Sequence, residues 1–63
     1  MTHRTIYMVE AYTLDGNVAV RRYARNKKVG ERIQKKVSKK WDASLRKLDR
    51  FEHAFVMPEW VEG

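Results

Sequence analysis

Apolar residues repeat along this chain with two different periods, and each period marks an element. From Thr5 to Thr13 the sequence TIYMVEAYT is rich in β-formers. Ile6, Met8 and Tyr12 fall on one alternating face, and Tyr7, Val9 and Ala11 on the other, the pattern of a strand with neighbours on both edges. Leu14-Asp15-Gly16-Asn17 follows, with Asp-Gly suited to the positive φ of a tight turn. Val18 to Ala24 returns as a second strand. A two-residue turn places Glu10 opposite Arg21, and a three-residue loop with Gly16 in a bulge places Glu10 opposite Val20. The first register is preferred, because it supplies a cross-strand ion pair and groups Tyr7, Val9, Ala11, Val18, Val20 and Ala24 on one face.

From Asn26 to Arg50 the period changes. At 100° per residue, Ile33, Val37, Trp41, Leu45 and Leu48 gather on one side, and Lys28, Arg32, Lys35, Lys39, Arg46 and Arg50 on the other. Asn26 is a suitable N-cap. Asp42-Ala43-Ser44 is a potential break, but the apolar stripe passes through it in phase. One amphipathic helix is expected over about 27–49. Phe51 to Met57 (FEHAFVM) alternates again and reads as a third strand, stopped by Pro58. Trp60 is expected to cover a core edge, and residues 1–4 to fray.

These elements give a single small α+β domain over residues 1–63, of ββαβ form: strands at about 5–13, 18–24 and 51–57, and one long basic helix. Placing the third strand beside the first gives a wholly antiparallel sheet of order 2-1-3, with the helix on one face. The opposite face is left carrying some of Met8, Tyr12 and Tyr23, an apolar patch open to a contact such as a homodimer.

Charge sharpens the picture. The net charge is +6, but thirteen Lys and Arg stand against three acids in residues 21–50, while the remainder is net negative. A basic middle between mildly acidic ends is a directed field more than a general aid to solubility. With no cysteine there is no disulfide framework and no thiolate metal site. Neither a membrane-length apolar run nor a signal-peptide core is present, so a cytoplasmic protein with no membrane partner is expected.

The enzyme classes find little purchase. His3 and His53 are isolated, Ser38 and Ser44 have no evident base, and no phosphate loop, paired-His spacing or nucleophile elbow occurs. No catalytic residue, cofactor or metal is assigned. The Lys27-Lys28 pair opening a helix after a hairpin resembles double-stranded RNA-binding domains over roughly a dozen residues. That family's first helix is missing and the third strand follows the helix, so its function is not carried over.

The basic helix face is the main functional signal. Lys28, Arg32, Lys35, Lys39, Arg46 and Arg50, fed by Arg21, Arg22 and Arg25 from the strand end, form a row able to neutralise several phosphates. Lysine predominates in the helix, which suits backbone contact over base reading. Tyr12 and Tyr23 are candidate stacking or interface residues. The expected function is sequence-nonspecific contact with DNA or RNA. The alternative is a phage- or plasmid-type accessory protein that binds and inhibits an acidic protein partner.

Overall fold

The computed structural model describes residues 5–63; the fraying expected of residues 1–4, and His3 with it, lies outside the described residues. The elements are β1 (Tyr7–Tyr12), β2 (Val18–Ala24), α1 (Lys27–Val37), β3 (Asp42–Lys47), α2 (Arg50–His53), a 3-10 turn (Pro58–Trp60) and a short β4 (Val61–Glu62). They form a four-stranded sheet of order β3-β1-β2-β4. β1 pairs antiparallel with β2 and β3, and β4 runs parallel to the end of β2, so the sheet is mixed.

The hairpin contains both registers weighed from the sequence. Gly16 has φ of 86° and Thr13 exchanges main-chain hydrogen bonds with Gly16 and Asn17, closing a three-residue loop. Tyr12 accordingly faces Val18. One step further, a bulge that leaves Ala19 without an opposite residue shifts the pairing, so that Ala11 faces Val20 and Glu10 faces Arg21. The Glu10–Arg21 ion pair forms at 2.7 Å. Val18, beyond the bulge, is exposed and does not join the group under the helix.

Three expectations are corrected. The helix does not reach residue 49; it ends at Val37. Lys40 and Trp41 both donate to the Val37 carbonyl, and Ser38 Oγ donates to the Lys35 carbonyl, so a tight turn closes the last carbonyls of α1. The second half of the expected helix is instead the strand β3. The expected strand at 51–57 is not extended: α2 begins there, behind the Asp49–Glu52 capping box, and turns follow. The sheet is therefore neither three-stranded nor wholly antiparallel, although β1 is central and β2-β1-β3 keeps the expected antiparallel order with a different third strand.

The reason lies in β1. Val9 and Ala11 are 0 % exposed, and a strand this deeply placed must satisfy main-chain donors and acceptors along both edges. β2 serves one edge and β3 the other. Alternation then sends Tyr7, Val9, Ala11, Ala43 and Leu45 towards α1, where Val9, Ala24 and Ile33 pack with Val29 and Val37. On the opposite face Ile6, Met8 and Leu48 form a second cluster under Tyr23, Val56 and Val61. That face, expected to be open, is overlaid by the C-terminal segment.

Candidate nucleic-acid interface

The basic residues singled out from the sequence separate into three groups, with Arg50 apart from all of them. Lys28, Arg32 and Lys35 are exposed on α1, and Lys39 follows in the turn. Steps of four, three and four residues keep these positions on one ridge while the helix lasts. Lys28 and Lys35 are about 10 Å apart along the axis at 1.5 Å per residue. The opposite side of α1 holds Gly30, Ile33 and Val37 against the sheet, so burial of that stripe aims the ridge at solvent. Lys27, Lys36 and Lys40 flank it, exposed. On a helical wheel Lys27, Lys36 and Lys40, omitted from the sequence reading, lie to the sides of the ridge, away from its centre, and only their exposure joins them to it. Glu31 is the single acid of α1.

Arg21 and Arg46 lie elsewhere. Ending α1 early moves Arg46 into β3, opposite Met8. Arg46 and Arg21 stand on the sheet face away from α1. Each is held by a carboxylate: Arg46 donates to both oxygens of Glu52 at 2.8 and 2.7 Å, and Arg21 Nε donates to Glu10 at 2.7 Å. Hydrogen bonding from Arg46, with help from the Asp49 main-chain N–H, lowers the Glu52 carboxyl to about 2. Tyr12 hydroxyl donates to Glu10 at 2.6 Å. Donation from Tyr12 and then from Arg21 lowers the Glu10 carboxyl, and the same bond raises the Tyr12 hydroxyl.

A third group ties down the C-terminal strand. Arg22 makes a two-bond pair with Glu62, which lowers that carboxyl, and Arg25 Nη1 donates to the Gly63 carbonyl at 3.1 Å. Arg50 opens α2, exposed and apart from the ridge. Of the nine basic candidates, the fold thus assembles Lys28, Arg32, Lys35 and Lys39. Among the described residues no carboxylate lies within ion-pair distance of these four; the ion pairs are at Arg21, Arg22 and Arg46.

The aromatic candidates are engaged within the chain. Tyr12 is bound to Glu10, and Tyr23 stacks on Trp60 with ring centres 6.0 Å apart and planes 18° from parallel. Trp60 thus covers a core edge while keeping half its surface. Trp41, placed in the core by the sequence reading, is half-buried beside the ridge with Lys40 Nζ 5.3 Å from its ring centre. Phe51 and Phe55 are 85 % and 80 % exposed, and Met57 and Trp60 add to the apolar surface of the C-terminal segment. A shallow concavity of about 260 Å³ lies between Tyr23, Phe55, Arg21 and Arg46. The His53 Nε2 is buried without a hydrogen-bond partner.

Among the described residues no cluster of three or more His, Asp or Glu could hold a metal ion, and no helix is long and apolar enough to cross a membrane. Comparison with protein-family models, with curated proteins and with solved structures finds no match for this chain.

Proposed function

We propose that this chain is a small non-catalytic binding protein that contacts the phosphates of DNA or RNA through α1 and the turn after it. The observation that carries the reading is the ridge of Lys28, Arg32, Lys35 and Lys39, flanked by Lys27, Lys36 and Lys40 and free of ion pairs. A cation already held by a carboxylate must break that bond to meet a phosphate; these need not. Three of the four central cations are lysines, point charges that suit a run of phosphates better than the forked hydrogen bonding of base edges. Lys27 and Lys28 also sit at the positive end of the helix dipole, where cations are mildly unfavourable, and an anionic ligand gives them a purpose.

The test is fluorescence anisotropy with labelled duplex DNA, single-stranded DNA and RNA across a salt series. Four phosphate contacts on a duplex give a log–log salt slope of about −3 to −4. Lys35→Glu with Lys39→Glu should abolish binding and lower the thermal melt by only a few degrees, since both side chains are exposed and only the favourable charge at the end of the α1 dipole is lost. Binding that survives this double reversal would exclude the ridge.

A second reading rests on the exposed Phe51 and Phe55. An acidic protein partner would then meet the sheet face opposite α1, its apolar surface covering these rings, with Arg21 and Arg46 beside Phe55. In that case Phe51→Ser with Phe55→Ser should weaken capture of the partner, and charge reversal on α1 should leave capture nearly unchanged. On either reading the protein acts in the cytoplasm and needs no cofactor.

A further inference from the structure

β3 ends the sheet, and no strand lies beyond it among the described residues. Its free edge can be specified. Leu48 N–H donates to the Ile6 carbonyl at 2.8 Å. By the alternation of an antiparallel ladder, Asp42, Ser44 and Arg46 therefore direct their main-chain groups to β1, and Ala43, Leu45 and Lys47 direct theirs outward. The Ala43 carbonyl accepts from Gln34 Nε2 at 3.2 Å and keeps a second lone pair. An open row of main-chain groups is a template for another strand.

The side chains say which strand. A second copy joining antiparallel about a two-fold axis normal to the sheet must pair residues of equal parity, because that axis preserves the two faces. Two registers satisfy this, centred on Ser44 or on Leu45. Centred on Ser44, Asp42 of each copy faces Arg46 of the other on the outer face. On the α1 face Ala43 meets Leu45, and Trp41 meets Lys47. Ala43 and Leu45, both with outward main-chain groups, become the hydrogen-bonded pair. Every cross-strand pair is then opposite in charge, apolar, cation on aromatic, or Ser on Ser. Centred on Leu45, Arg46 faces Ser44 and Lys47 faces Ala43, and no charge finds its opposite. The guanidinium of Arg46 donates two of its five N–H groups to Glu52, which leaves donors for Asp42 of the second copy.

We infer that two copies of this chain associate through antiparallel pairing of their β3 strands, with Ser44 on the two-fold axis. The interface is isologous and makes one continuous eight-stranded sheet. It is a narrow contact, so the dimer is weak and depends on concentration. Since the axis preserves the faces, both α1 helices lie on the same side of the joined sheet; on the phosphate reading, the two ridges then address one ligand together.

The absence of cysteine makes the test clean. Ser44→Cys places two thiols on a non-hydrogen-bonded pair, with Cα atoms about 4.5 Å apart, within disulfide reach. Mild oxidation without nucleic acid should give a covalent dimer in high yield, while Leu14→Cys, at the exposed hairpin tip, should remain largely monomeric. Sedimentation equilibrium of the unaltered chain should show the mass rising from 7.5 kDa towards twice that value with concentration, and Asp42→Lys should suppress the rise. A mass fixed at the monomer value, or a Ser44→Cys chain that cross-links no better than the Leu14→Cys control, would overturn the inference. Neither measurement involves nucleic acid, so it can fail while phosphate binding stands, or succeed while that binding fails.

Discussion

Gly30 is the residue on which the approach of α1 to the sheet depends. A Cβ added there would lie 2.7 Å from Leu45 Cδ1 and 3.5 Å from Tyr7 Cβ. Alanine can be received if the Leu45 methyl turns aside, and its better helix propensity offsets part of that cost. A branched side chain has no such escape. Gly30→Val is expected to destabilise the fold by about 2 kcal/mol, read as a lower urea midpoint, with Gly30→Ala much closer to the unaltered chain. Glu52 is the corresponding electrostatic position. Its carboxyl is lowered from 4.5 to about 2 by Arg46 and by the Asp49 N–H, so the unfolded chain binds this proton more tightly than the folded one. The stabilisation is complete above pH 4.5 and is lost as the pH falls towards 2. Glu10 and Glu62 are lowered as well and contribute in the same direction. Thermal melts between pH 4.5 and 2 should show a steep fall in Tm, made shallower, though not abolished, by Glu52→Gln.

At the scale of elements, α1 is short, and its eleven residues could not hold a helix alone in water. Its packed stripe and its cap supply the difference. Asn26 Oδ1 accepts from the Val29 N–H at 2.9 Å, satisfying one of the free donors of the first turn. Asn26→Ala is expected to cost about 1 kcal/mol, visible in the denaturant midpoint, with no loss of phosphate affinity at temperatures where the chain remains folded. The last turn carries Lys35 and Lys36, favourable at the negative end of the dipole. The same lysines thus stabilise the helix end and arm the ridge. β3 is marginal by propensity, with Asp42, Ser44 and Lys47 among its six residues; pairing with β1 and packing of Ala43 and Leu45 under α1 hold it in place.

The whole molecule is a sheet with a small core on each side. The cluster under α1 centres on Val9, Ala24 and Ile33; the one under the C-terminal segment centres on Ile6, Met8 and Leu48. A chain of this length buries a modest fraction of its surface, so neither core has much to spare. Leu48 is 4 % exposed and joins the end of β3 to the segment that crosses the outer face. Leu48→Ala is expected to cost about 3 kcal/mol. It should also loosen the segment, so that, with Trp41→Phe leaving Trp60 as the one indole, Trp60 leaves Tyr23 and its fluorescence shifts to the red before global unfolding. A single coincident transition by Trp60 fluorescence and far-UV circular dichroism would show instead that the two cores unfold as one.

The sequence by itself determined the hairpin, the start of α1 after Asn26 and the face that Ile33 and Val37 bury. Each depends on neighbours in the chain or on one local turn, where periodicity and turn chemistry act directly. It also located the basic middle, because charge is counted without a fold. It left Glu10 between Arg21 and Val20, and the bulge at Ala19 chose Arg21. Tertiary structure alone decided what residues 38–57 become. Trp41, Leu45 and Leu48 continue the helical stripe in phase, and Phe51, Phe55 and Met57 alternate like a strand, so both local patterns pointed away from the structure formed. The second edge of β1 outweighed them: a buried central strand must have its main-chain groups paired, and no periodicity in residues 42–47 records a demand made by residues 7–12. The same event divided the expected row of cations. With β3 extended, Arg46 passes to the opposite face and joins Glu52, and the ridge contracts to Lys28, Arg32, Lys35 and Lys39. Which cations stand free is a matter of which carboxylates the fold brings to the others, and that is settled only in three dimensions.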